Sequence, residues 1–153
     1  MKINFDLNDD HEETYITIHA KEWSEELEEL AKRLNHRSTK RILGMDKDKS
    51  ILLYPNDIDY IYAEKRKVFA SVKKQSIELT LKLYELEDML SGYQFSRFSK
   101  SVIGNLQQIK YFQLVFNGNL CVIFNSGSKE YVSRKYALQI KEKLIMGVGN
   151  DGI

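Results

Sequence analysis

A single cysteine, Cys121, in 153 residues allows no internal disulfide, which suits a reducing, cytoplasmic setting. Long apolar runs are missing as well. The longest are a few residues, such as Leu120-Cys121-Val122-Ile123-Phe124, against the roughly 20 that a membrane helix needs. The opening Met1-Lys2-Ile3-Asn4-Phe5-Asp6 lacks the basic-then-apolar layout of a secretory signal. His11, His19 and His36 show no metal-ligand spacing with one another or with Cys121, which sits in an apolar, strand-like run and reads as a buried thiol. Asp9-Asp10-His11-Glu12-Glu13 has neither the glycine nor the ligand spacing of a calcium loop. Gly147-Val148-Gly149 neither follows a strand nor opens a helix, so it is no dinucleotide fingerprint. No carboxylate pair and no Ser–His arrangement suggests catalysis. The expectation is a protein without enzymatic activity, metal or cofactor, and with no internal repeat.

What is present is an uneven distribution of charge. The net charge is +1, yet residues 1–36 hold ten acids against four bases, and residues 37–153 hold nineteen bases against twelve acids. An acidic head on a basic body is the asymmetry of a nucleic-acid or membrane-surface binder, although unrelated proteins share it.

The head, residues 1–45, reads as ββα. Ile3, Phe5 and Leu7 alternate with polar residues, as do Thr14, Ile16, Ile18 and Ala20, which predicts two short strands around a polar loop. From 21 to 35, Trp23, Leu27, Leu30, Ala31 and Leu34 fall on one helical stripe, with glutamates early and Lys32 and Arg33 late, as the helix dipole favours. So few apolar positions make no robust core alone, so the head should pack on the body or on a second copy. Two polar stretches, 35–41 and 46–50, mark a boundary. The body, 46–146, turns towards β. Strands are expected over 58–63 and 68–72, around the charged tip Glu64-Lys65-Arg66-Lys67, and at Ile77, Leu79 and Leu81. A short helix over 83–90, stopped by Ser91-Gly92, precedes a strand over 95–99 and a loop through 101–108. Strands 110–116 and 120–124 flank the hairpin signal Asn117-Gly118-Asn119. A last strand at Tyr131 and Val132 leads to a helix over 134–145, and 147–153 forms a loose tail.

Among the bases, Arg134 and Lys135 are the most informative. With Ser133 as N-cap, both fall in the first turn of a helix, where the dipole disfavours cations by about 0.3–1 kcal/mol each. Their placement makes sense if an anion binds between them and the free backbone N–H groups. On the residues alone the simpler reading is two solvated bases tolerating a small, screened penalty. Lys65 and Arg66 suit a solubilising hairpin tip, and Lys100 a surface position beside a turn serine. Arg97 reads as a phosphate contact or a structural ion pair, and Ser99, Ser101 and Asn105 as phosphate donors or caps of loop backbone.

Four segments, in order, resemble the LytTR family of bacterial DNA-binding domains across about two-thirds of the chain. They are Asp57-Ile58-Asp59-Tyr60-Ile61-Tyr62-Ala63-Glu64, Phe95-Ser96-Arg97-Phe98-Ser99-Lys100-Ser101-Val102-Ile103-Gly104-Asn105-Leu106, the hairpin 109–124, and Tyr131-Val132-Ser133-Arg134-Lys135-Tyr136. Gly104 departs from the family pattern, which has an aliphatic residue before the Asn, and this weakens the local packing argument. The resemblance implies an α+β, mostly β fold of small packed sheets with short helices. It implies transcription regulation through sequence-specific binding of double-stranded DNA with repeated half-sites, with loops entering successive major grooves. Carried over by position, the base-reaching side chains are Arg66 or Lys65, Lys100 and Arg134. The roughly 45 residues before the domain are too few for a phosphoreceiver. The acidic head is therefore expected to contact a restraining membrane protein, or to make a homodimer. Two other readings of the basic surface are an RNA-binding module, for which Tyr60, Tyr62 and Phe69 would have to stack bases, and an adaptor for acidic proteins.

Overall fold

The computed structural model describes residues 2–34 and 40–145, and the chain divides into two units, Met1–Arg37 and Ser38–Ile153. In the first unit the regular element is one helix, Glu25–Leu34 (α1). Ser24 starts it, its Oγ accepting the Leu27 N–H at 3.2 Å, so Trp23 lies before the helix and not on its stripe. Acids in its first turn and Lys32 and Arg33 in its last complement the dipole. Leu27, Leu30 and Ala31 are half-buried, and no α1 residue is fully buried.

The two strands expected ahead of α1 do not form. Residues 2–20 carry the period-2 pattern without a ladder, and Phe5 and Leu7 are 84% and 90% exposed. Alternation marks a segment able to sit half-buried, but a strand must pair its N–H and C=O groups with a neighbour. A lone two-stranded hairpin is marginal at best in water.

The second unit begins with Ile42–Asp46 (β1) and Lys49–Leu53 (β2), a hairpin that straddles the boundary expected at 45/46. Tyr60–Glu64 (β3), Lys67–Val72 (β4) and Gln75–Leu79 (β5) follow, then the helix Leu83–Met89 (α2). Next come Phe95–Ser99 (β6), Val102–Asn105 (β7), Ile109–Leu114 (β8), Leu120–Phe124 (β9), Lys129–Val132 (β10) and the helix Arg134–Leu144 (α3). The tail from 147 lies outside the described residues. Seven strands form one antiparallel sheet in the order β2-β1-β5-β4-β3-β7-β6, and three form a second in the order β10-β9-β8. The fold is thus α+β and mostly β, as expected.

Strand alternation sends side chains of the large sheet into two cores. On one face Ile42, Leu53, Ile61, Ala70, Leu79 and Ile103 pack with Leu83, Leu86 and Leu90 of α2 and its flank. On the other, Phe98 and Val102 meet Leu120, Val122 and Phe124 of the small sheet, and Ala137 and Ile140 of α3. β7 replaces the loop expected over 101–108. All four of its residues are buried, between β3 and β6, and a strand covered on both faces has no alternation to betray it.

Gly104 proves to be a packing requirement. A Cβ there would overlap the ring of Phe98, a fully buried side chain that fills the space an aliphatic residue would occupy. Away from that ring, buried Asp59 accepts a hydrogen bond from Ser126 Oγ at 2.5 Å, joining the approach to β3 to the β9–β10 turn. Burial pushes the Asp59 carboxyl above the usual aspartate value, the Ser126 bond opposing that shift in part.

Candidate nucleic-acid interface

Register decides which loops lie side by side. β3 and β4 pair Glu64 with Lys67, so Lys65 and Arg66 make a two-residue loop. Both have positive φ, 49° and 66°, as the twist of a tight hairpin demands. Neither is Gly or Asn, so each residue costs about 1–2 kcal/mol of backbone strain. The β4–β5 turn, Lys73–Lys74, has the same positive-φ geometry, so the strain belongs to the tight hairpin, and the case for the 65–66 tip rests on where the sheet places it.

β7 runs antiparallel to β3, with Val102 opposite Tyr62 and the Ala63 N–H donating to the Ser101 carbonyl at 2.8 Å. The Lys100–Ser101 turn therefore sits beside the Lys65–Arg66 tip. β6 bulges between Arg97 and Ser99, and a bulge disrupts the ladder locally. The Phe98 carbonyl accepts the Ser133 N–H at 2.8 Å, bringing the start of α3 to the same end of the sheet. The β8–β9 turn arrives there too. Asn119 Oδ1 accepts the Arg134 N–H at 2.9 Å, and the Arg134 side chain lies along Gly118, where a Cβ would be 3.4 Å from Cγ. Ser133 holds the N-cap position but makes no side-chain cap bond; Asn119, fifteen residues earlier, does that job. Sequence spacing offers no signal for such a cap.

Lys65, Arg66, Lys100, Arg134 and Lys135 are thus gathered at one end of the second unit, all exposed. None of them joins an ion pair among the described residues. Lys135 Nζ lies 5.5 Å from the Tyr136 ring centre. No acid occupies the first turn of α3, so the helix dipole and the charges of Arg134 and Lys135 add there.

Four further expected site residues have other surroundings. Ser99 Oγ accepts the Ser101 N–H at 3.3 Å, capping the turn, while Ser101 itself is exposed. Arg97 is engaged within the protein: Nε donates to Glu87 Oε2 at 2.6 Å and Nη1 to the Lys100 carbonyl at 2.7 Å. Asn105 is corrected outright as a DNA contact. It is fully buried, its Nδ2 donating to the Ile58 carbonyl at 2.9 Å and its Oδ1 accepting the Gln107 N–H at 3.1 Å, so it cannot reach a phosphate.

An exposed set of unpaired cations on adjoining turns is a surface complementary in charge to a polyanion. No helix–turn–helix pair is present among the described residues, since strands separate α1, α2 and α3 in the chain. Residues 48–145 match the LytTr DNA-binding domain family. Two proteins named as uncharacterized HTH-type transcriptional regulators, from Staphylococcus aureus strains bovine RF122 / ET3-1 and NCTC 8325 / PS 47, are each 32% identical over 145 residues, covering 94% of this chain and 98% of the relative. A solved LytTr DNA-binding domain from Bacillus cereus matches with a TM-score of 0.65 at 20% identity, over 71% of this chain and 100% of that one. The chain belongs to the LytTr DNA-binding domain family, a family of DNA-binding regulators and not of enzymes. The aligned stretch with the Staphylococcus aureus relatives is longer than residues 48–145, so that likeness extends beyond the DNA-binding domain itself. No helix among the described residues is long and apolar enough to cross a membrane.

Proposed function

We propose that this protein regulates transcription by reading double-stranded DNA with its loops, Lys65 or Arg66, Lys100 and Arg134 reaching base edges in successive major grooves. The observation that carries this reading is the gathering of five exposed, unpaired cations at one end of the sheet. Arg and Lys donate to guanine O6 and N7 and to phosphates. Lys135, with Ser99 and Ser101, would hold phosphates alongside. The RNA reading needs an open aromatic platform, whereas Tyr60 stacks on Phe124 and Tyr62 on Phe69, and both tyrosines are partly buried against the second core.

Selection from random duplexes tests the proposal. A cognate sequence should emerge with elements about 10–10.5 bp apart. Inserting about half a helical turn between them should abolish tight binding, and about a full turn should partly restore it. Lys100→Ala and Arg134→Ala should each cost about 1–3 kcal/mol on the cognate duplex and much less on random DNA. Selection that enriches no sequence would leave a non-specific polyanion binder or an adaptor for acidic proteins.

The same reading assigns the head that precedes β1 to control, through pairing with a second copy or contact with a restraining membrane protein. Its support is the exposed apolar set Ile3, Phe5, Leu7, Ile16 and Trp23, too large a share of a short segment to be left in water. Sedimentation of the full chain against one lacking residues 1–37 tests the pairing; identical monomers would exclude it.

A further inference from the structure

We infer that Arg97 is a positioning residue for DNA recognition. It fixes the backbone of the Lys100 turn to α2 through Glu87, and so sets where Lys100 points. The inference rests on the reading of Lys100 as a base contact. Arg97 lies on β6, an edge of the large sheet, where the strand bulges and the ladder stops guiding the chain. Three contacts replace the ladder. Arg97 Nη1 donates to the Lys100 carbonyl at 2.7 Å, Ser99 Oγ accepts the Ser101 N–H at 3.3 Å, and the Ala63 N–H donates to the Ser101 carbonyl at 2.8 Å. The second edge of the guanidinium is anchored by Glu87 Oε2 at 2.6 Å.

The side chain of Arg97 is only 20% exposed, and charge-assisted bonds of this length are the strong kind. A guanidinium presents donors along fixed, separate directions, so one side chain can join helix and turn; an ammonium offers a single point of charge. With the backbone pinned on three sides, the Lys100 side chain is the part left free, and reading a base edge requires its root to be held within about 0.5 Å. A direct phosphate contact fits this geometry poorly, because Glu87 already occupies Nε and balances the charge.

The test uses the full chain, on the selected duplex and on random DNA, across a salt series. Arg97→Gln should lose about tenfold on the cognate duplex, a typical base-contact loss, and little on random DNA, with the salt slope unchanged. Arg97→Lys, which keeps the charge without the fork, should lose as much. Glu87→Gln should lose in the same direction by a smaller factor, and it covers the case in which Arg97→Gln fails to fold. Combining Arg97→Gln with Lys100→Ala should bind no more weakly than Lys100→Ala alone, because both act through one contact. The inference is overturned if Arg97→Lys binds like the unaltered protein, if the salt slope falls by about one as for a lost phosphate contact, or if the two losses multiply. Should Lys100→Ala itself be silent on the cognate duplex, the base-contact reading fails and takes the inference with it. Should Lys100→Ala lose affinity and Arg97→Gln not, only the inference fails.

Discussion

Asn119 offers a perturbation whose effects on stability and on binding should separate. Its Oδ1 accepts the first N–H of α3, that of Arg134, at 2.9 Å, and Ser133 makes no competing side-chain bond. Asn119→Ala removes the acceptor. Loss of such a cap costs about 0.5–2 kcal/mol, and here the lower half of that range applies, because the freed N–H lies where water can reach it. Asn119→Asp keeps the acceptor and adds a negative charge at the positive end of α3, beside Arg134 and Lys135. The dipole then favours the folded state by about 0.3–1 kcal/mol. DNA should respond in the opposite sense, since the new carboxylate sits where a phosphate would meet the helix N-terminus and its two cations. Affinity should fall, and the dependence of log K on log salt should shallow by roughly one phosphate contact. Urea unfolding gives the first quantity, and duplex titrations at several salt concentrations the second. If Asn119→Asp is as stable as expected yet binds DNA as tightly as the unaltered chain, α3 does not begin at the DNA. An unchanged unfolding midpoint for Asn119→Ala would refute the cap.

The Lys65–Arg66 tip should show the same trade. Replacing the pair by Asn-Gly relieves two positive-φ cations and, after the roughly 1 kcal/mol entropic cost of the new Gly, should raise stability by about 1–3 kcal/mol while weakening DNA binding; unaltered binding would return the tip to a solubilising role. For Asp59, burial sets the folded-state pKa above the unfolded one. The stability present below the unfolded value is therefore lost as pH rises through the folded value. Asp59→Asn, neutral throughout, should be the more stable form near neutral pH, with the gap closing as pH falls through the raised folded value and gone below the unfolded value of about 4. Urea midpoints across that range check this, and a gap that widens in acid would contradict it.

Much of the body is legible in the sequence. β3 to β6, α2, the β8–β9 hairpin and α3 announce themselves because half-buried strands alternate and amphipathic helices carry stripes, and turns such as Asn117-Gly118-Asn119 punctuate them. The bases at 65, 66, 100, 134 and 135 are legible as candidates for the same reason: charge in a turn or at a helix start is a local property. Other features depend on residues distant in the chain and are not. β7 hides because neighbours cover both its faces, and the unpaired segments around Ile3 and Ile16 keep their alternation without a partner to make them strands. Tertiary packing makes Gly104 a necessity beneath Phe98, takes Asn105 out of reach of any ligand, and turns Arg97 towards Glu87. It also recruits Asn119 to cap a helix fifteen residues away. By itself the sequence determined which residues have the chemistry to hold DNA. Only the register of β3 on β7, the bulge in β6 and the cap on α3 decided which of them share one surface, because a hydrogen-bond ladder sums contacts that no local window of sequence contains.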